Sequence, residues 1–236
     1  MPKIDALDQG SSAQRDALNH QAIEDYLKTI YTLAESESPV STSRIADARQ
    51  VKPGSVTNML QRLAKLNLVD YEKHYGVALT PAGEKIALEV IRHHRLLELY
   101  LSEALGFGWD EVHEQADLLE HVISEKLAER IAAFLGDPLF DPHGDPIPTR
   151  DGAIISRETR PLTAVSPGET VIIARILDDD DSERLRYLAE LGLIPGIVIS
   201  VTAVAPFDGP ITLTIDGEPR IVGHIIAQSV LISILD

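Results

Sequence analysis

The sequence has no cysteine. That excludes a disulfide framework and any thiolate metal site, and it is compatible with a reducing cytoplasm. It also lacks a membrane span, because no apolar run reaches about 18 residues. The longest, 225–235, is interrupted by Gln228 and Ser229. The opening stretch MPKIDALDQGSSAQRDALNH is polar and has no apolar signal-peptide core. A cytoplasmic protein is the expectation. Positive charge is scarce too: the net charge is −16, which argues against indiscriminate nucleic-acid binding. The deficit is uneven. Residues 40–75 carry six basic side chains (Arg44, Arg49, Lys52, Arg62, Lys65, Lys73) against three acidic ones (Asp47, Asp70, Glu72). A locally basic module on an acidic body suits a DNA reader joined to something that binds cations.

The chain is 236 residues long and 44% hydrophobic, enough for one large domain or two to three small ones. Residues 1–18 read as a flexible tail, with Asp16 or Asn19 capping a first helix through AIEDYLKTIYTLAES. SRIADARQ, the turn VKPG and the amphipathic SVTNMLQRLAKLNL then follow as helix, tight turn, helix, with Ser55 as a cap of the second. VDYEKHYGVALT predicts a β-hairpin, the wing. A long helix follows, capped by Thr80 with Pro81 in its first turn, and then one more helix over WDEVHEQADLLEHVISEKLAERIAAFLG. The Pro/Gly/Asp-rich stretch 136–152 is a loop leading into a linker. Beyond residue 166 five short β-type runs, with one helix SERLRYLAELG among them, predict a small β-barrel.

The sharpest chemical pattern is His113-x3-Asp117-x2-Glu120-His121. In a helix these side chains share one face, and the preceding helix adds His94 and Glu98 one turn apart. If the two helices pack antiparallel, six nitrogen and oxygen donors converge, a set suited to Mn²⁺, Fe²⁺, Co²⁺ or Zn²⁺. The bland alternative is a solvated acidic face with scattered histidines. His20, His143 and His224 lack such partners and are read as surface residues. The metalloprotease motif His-Glu-x-x-His is absent.

Taken in order, EDYLKTIYTL, KPGSVTNMLQRLAKLNLV, YEKHYGVALTPAG, RHHRLLELYL, VHEQADLLEHVIS and DPHGDPIP resemble the diphtheria-toxin-repressor family of iron-dependent and manganese-dependent regulators. The resemblance spans residues 19–236, and LAELGLIPG with its following strands looks like that family's SH3-like domain. It implies a mainly α fold with β: a winged helix-turn-helix (19–80), a helical dimerisation and metal-binding domain (81–142), a linker (143–160) and an SH3-like small β-barrel (161–236). It implies a main metal site of Asp25, Asp117, Glu120 and His121, and an ancillary cluster of His94, Glu98 and His113, with His94 joining the main site in the manganese branch. The iron branch has Met and Cys where Asp25 and Asp117 stand; carboxylates shift the preference toward Mn²⁺, with Fe²⁺ second. Lys28 stands where some manganese regulators have a bridging Glu, and an ammonium there disfavours a second adjacent cation. The acidic run 178–181 with Glu183 lies near the region from which the family's barrel supplies ligands; a charge run is more often a solvated loop.

A helix-turn-helix reads the major groove of double-stranded DNA with the start of its second helix. Pro53, Ser55, Thr57 and Asn58 are the candidates near base edges, and Arg62 and the wing residue Lys73 near phosphates. Leu96, Leu99, Leu101, Leu105, Val122, Leu127 and Ile131 are candidates for a homodimer contact, some of them core. The expected function is a metal-dependent repressor, not an enzyme. Other readings stay open: a metal-dependent hydrolase, a regulator with an organic effector in the barrel, and a metal buffer with a vestigial helix-turn-helix.

Overall fold

The computed structural model describes residues 5–177 and 181–234, with side chains from Leu18 onward. The chain divides into two compact units, Met1–Arg92 and His93–Asp236.

In the first unit, helix α1 (Asp5–Ala34) starts well ahead of Asp16 or Asn19, so it takes in most of the stretch read as a tail. The sequence there is rich in Ala, Leu and Gln, and a single Gly10 costs a helix only about 1 kcal/mol. Helices α2 (Thr42–Ala48) and α3 (Pro53–Lys65) form the helix-turn-helix, followed by an antiparallel hairpin of β1 (Val69–Glu72) and β2 (Gly76–Leu79). Ser41 caps α2 by accepting from Arg44 N. Helix α3 opens at Pro53, not at Ser55, and Lys52 is its cap residue. Proline favours the first helical position because its fixed φ fits and its missing N–H would be unpaired there anyway. Ser55 is therefore inside the first turn and exposed. Tyr26, Leu27 and Ile30 of α1 pack with Ile45, Val56, Leu60, Leu63, Val69 and Val77 in one core. Helix α4 (Pro81–Leu105) begins as expected, with Thr80 Oγ1 accepting from Gly83 N at 3.2 Å. Gly83 is required here: a Cβ would stand 2.0 Å from the carbonyl oxygen of Leu68.

In the second unit, the region read as one helix after α4 is two, α5 (Val112–Leu119) and α6 (Glu125–Phe134). The break follows from Ser124, whose side chain accepts from Leu127 N and so caps a new helix. Leu96, Leu97, Leu99, Ala116, Ala128, Ile131 and Ala132 form a core that also takes in Ile147.

The C-terminal part is a six-stranded antiparallel sheet in the order β3-β8-β4-β5-β6-β7. The strands are β3 (Arg160–Pro161), β4 (Thr170–Ile176), β5 (Val198–Val204), β6 (Ile211–Ile215), β7 (Glu218–Val222) and β8 (Val230–Ile234). Helix α7 (Ser182–Leu191) covers it with Leu185 and Leu188. Two elements depart from the sequence reading. The two-residue β3 carries too short an alternation to be seen. PRIVGHII is not one strand: its ladder with β6 ends at Val222, and His224–Ser229 is helix α8. Trp109, from the α4–α5 connection, packs against the sheet's core. Among the described residues, no helix is long and apolar enough to cross a membrane.

Candidate metal centre

Two helices and the turn that ends the second of them present the donors. Helix α4 presents His94 and Glu98 one turn apart, α5 presents His113 and Asp117, and Glu120 follows at the C-terminal end of α5. The His94 ring stands among them. Its Nδ1 lies 2.5 Å from Glu120 Oε2 and 3.3 Å from Asp117 Oδ1. Its Nε2 lies 2.9 Å from Glu98 Oε1 and 3.2 Å from His113 Nδ1. His113 also approaches Glu98 Oε1 at 3.1 Å and Asp117 Oδ2 at 3.7 Å. Glu120 Oε1 is 3.3 Å from His121 Nε2. Five of the six donors expected to converge (His94, Glu98, His113, Asp117 and Glu120) come together around the His94 ring, while Glu120 and His121 lie past the end of α5 rather than on a continuing helix.

Charge and burial are unequal. The Glu98 side chain is 0% exposed, while that of Asp117 is 52% exposed. Burial pushes the Glu98 carboxyl up. The charge of His94 and hydrogen bonds with His113 and His94 outweigh it and hold the group well below the usual carboxylate range. Burial depresses His113, but its hydrogen bond to Glu98 prevails and its proton is held more tightly than usual. The set thus joins carboxylate and imidazole donors, and His113 must release a tightly held proton to ligate, so cation binding and proton release are linked there.

A second constellation escaped the sequence reading. His143, read as a surface residue, is fully buried and belongs with Glu98 and Asp141. The reason is that the loop after α6 is itself buried, with Asp141, His143, Asp145 and Ile147 all inside. His143 Nδ1 lies 3.9 Å from Glu98 Oε2, and its Nε2 faces the carbonyl oxygen of Trp109 at 2.8 Å. Glu98 Oε2 is buried and has no hydrogen-bond partner among the described residues. A buried carboxylate oxygen of that kind, facing an imidazole and beside a second carboxylate, fits a hard or borderline cation. Helical periodicity cannot reveal these residues. The available signal was DPHGD itself, three potential ligand side chains (two Asp and one His) among Pro and Gly beside the apolar Ile147.

Of the other candidates, Asp25 sits on α1 in the first unit, where its Oδ2 accepts from Arg49 Nη2 at 2.8 Å. Asp178, Asp179 and Asp180 lie outside the described residues. Asp181 caps α7 by accepting from Arg184 N, and Glu183 is exposed in that helix's first turn. His20 is exposed beside Glu24, and His224 lies 3.7 Å from Asp208.

On the first unit, Pro53, Ser55, Asn58, Arg62 and Lys73 are exposed and Thr57 is half-buried. Thr57 Oγ1 donates back to the carbonyl oxygen of Pro53, and Arg62 donates to Asn19 Oδ1. Thr57 and Lys73 line a cleft of about 310 Å³ with Ser41, Ser43, His74 and Tyr75, where the helix-turn-helix meets the wing. Of the dimer candidates, Leu96, Leu99, Leu101 and Ile131 are buried, whereas Leu105, Val122 and Leu127 are 57%, 76% and 52% exposed.

Three family models match the chain. Residues 20–77 match the iron-dependent repressor N-terminal DNA-binding domain, residues 80–149 the iron-dependent repressor metal-binding and dimerisation domain, and residues 160–234 the FeoA domain. The iron-dependent repressor IdeR of Mycobacterium leprae is 30% identical over 187 residues, 75% of this chain and 81% of that protein. The HTH-type transcriptional regulator MntR of Oceanobacillus iheyensis is 39% identical over 110 residues, 47% of this chain and 74% of that protein. Among solved structures, a manganese-dependent transcriptional repressor in complex with manganese is 40% identical, with a TM-score of 0.81 over 90% of this chain and 100% of that one.

Proposed function

Because the chain belongs to the family of iron- and manganese-dependent repressors, we propose that Asp25, Asp117, Glu120, His121 and His94 hold one divalent cation and that Glu98, with His113, Asp141 and His143, holds another. The protein is a metal-dependent DNA-binding transcriptional repressor of metal homeostasis that works as a homodimer, with Mn²⁺ or Fe²⁺ as the metal. The observation that carries the residue assignment is the convergence of His94, Glu98, His113, Asp117 and Glu120 within one compact unit. Carboxylates at both Asp25 and Asp117 favour Mn²⁺ over Fe²⁺.

A bound cation supplies the positive charge that lets these carboxylates share one site. Asp25 is proposed as a ligand on the family resemblance, and it sits on the helix that packs against the helix-turn-helix, so metal ligation by Asp25 would act on the DNA reader. Pro53 and Thr57 present apolar surface suited to thymine methyls, Asn58 suits adenine, Ser55 a base or phosphate, and Arg62 and Lys73 suit phosphates. The domain division we propose is 19–80 for the DNA reader, 81–142 for metal binding and dimerisation, a linker 143–160 whose first residue, His143, adds a ligand to that domain, and 161–236 for the SH3-like domain. Leu105, Val122 and Leu127 are the proposed dimer contacts. Acting on chromosomal DNA, the protein works in the cytoplasm and performs no catalysis. Asp25→Ala or Glu120→Ala is expected to abolish Mn²⁺-dependent operator binding while leaving the melting temperature of the metal-free protein within a few degrees. A wild-type metal response in either variant would remove that residue from the site.

A further inference from the structure

The buried loop that carries Asp141 and His143 is gripped from two sides. Within the loop, Asp141 Oδ1 accepts from the backbone N–H groups of both His143 and Asp145, at 2.9 Å each. From the helical side, Arg95 of α4 donates to Asp145 Oδ1 at 2.8 Å and to the carbonyl oxygen of Pro146 at 2.6 Å. From the C-terminal sheet, Arg175 of β4 reaches the same Asp145 Oδ1 at 2.6 Å. One buried carboxylate oxygen thus bridges two guanidinium groups from two structural layers. Ile176 N donates to the carbonyl oxygen of His143 at 2.8 Å, so β4 also holds a candidate ligand by its backbone. Gly144, at φ +89°, allows this approach, since a Cβ would meet the carbonyl oxygen of Ala174 at 2.1 Å.

The position of Arg175 has its own cause. The pairing of β4 with β8 shifts register between Ile173 and Arg175. A bulge changes which face the following side chains take. Without it Arg175 would share the face of Ile173 and point into the apolar core; with it Ala174 and Ile176 are buried and Arg175 turns out toward the loop.

We propose that Asp145 and Arg175 are positioning residues for the Glu98–Asp141–His143 cation site, through which the C-terminal domain raises metal affinity by orienting the loop rather than by donating a ligand. The proposal rests on the reading that Glu98, Asp141 and His143 hold a cation. Outer groups that orient metal ligands are commonly worth about tenfold to a hundredfold in affinity. Arg175 is the informative position, because its ion pair is with Asp145 and not with a ligand.

The test is calorimetric titration of the full-length protein with Mn²⁺ alone. In the wild type, the binding event lost in His143→Ala identifies the site. Arg175→Met is expected to weaken that event by about tenfold or more, to leave the other event unchanged, and to be largely restored in Arg175→Lys, which keeps a cation for Asp145. Asp145→Asn is the second variant, with the same loss expected, should Arg175→Met not fold. An Arg175→Met or Asp145→Asn protein that titrates like the wild type, while His143→Ala still removes an event, overturns the positioning role alone. If His143→Ala removes no event, the site itself is refuted and this inference with it.

Discussion

Glu98 uses its two oxygens for two neighbourhoods. Oε1 faces His94 and His113, and Oε2 faces His143, so one buried carboxylate joins the two constellations. His113 shows how protons enter. Its hydrogen bond to Glu98 raises its affinity for a proton, so proton and cation compete for its nitrogen. Mn²⁺ affinity is therefore expected to strengthen as pH rises from about 6 to about 8, with proton release on binding that calorimetry in buffers of different ionisation enthalpy would register. An affinity flat over that range would contradict a role for His113. Asp25 raises a similar competition with a fixed charge: Arg49 occupies its Oδ2 in a partly exposed pair. Such pairs are worth roughly 0.2–1 kcal/mol, so Arg49→Met is expected to tighten Mn²⁺ binding by at most about fivefold. Weaker binding would show that Arg49 supports Asp25 instead. Legibility at this scale followed geometry. His94 with Glu98, and His113 with Asp117, are one helical turn apart and stood out in the sequence. Asp141 and His143 are brought to Glu98 by a loop whose path no local period encodes.

Among the elements, the helices of the DNA reader and the wing lay close to where periodicity and turn residues put them, because α3 and the hairpin each bury one clear face. The departures came where a capping residue or a short ladder overrode a continuous apolar pattern. Ser124 splits what reads as one helix into α5 and α6, and the end of the β6–β7 ladder lets α8 form inside a run of β-branched residues. Ser124→Ala is expected to cost about 1 kcal/mol through the lost cap on α6, seen as a lower melting temperature of the metal-free protein. An unchanged melting temperature would mean that the break at residues 120–124 is set by packing and not by the cap. The tail-side extension of α1 to Asp5 and the two-residue β3 were not legible for opposite reasons. The first has good helix formers but no apolar stripe, and the second is too short to show alternation.

For the whole molecule, charge separates the two tasks. Residues 40–75 are net basic in a chain of net charge −16. An acidic body bearing a small basic reader needs specific contacts to hold DNA, since phosphate attraction alone is opposed by the rest of the chain. The exposed Leu105, Val122 and Leu127 leave apolar area on the helical part of the second unit, consistent with a dimer in which two readers address two half-sites. The most direct test of the account is selection of bound fragments from a genomic DNA pool by the purified protein, with Mn²⁺, with anaerobic Fe²⁺ and with chelator. The account predicts a palindromic sequence enriched with metal, more strongly with Mn²⁺, and lost with chelator. Equal enrichment in chelator would contradict it.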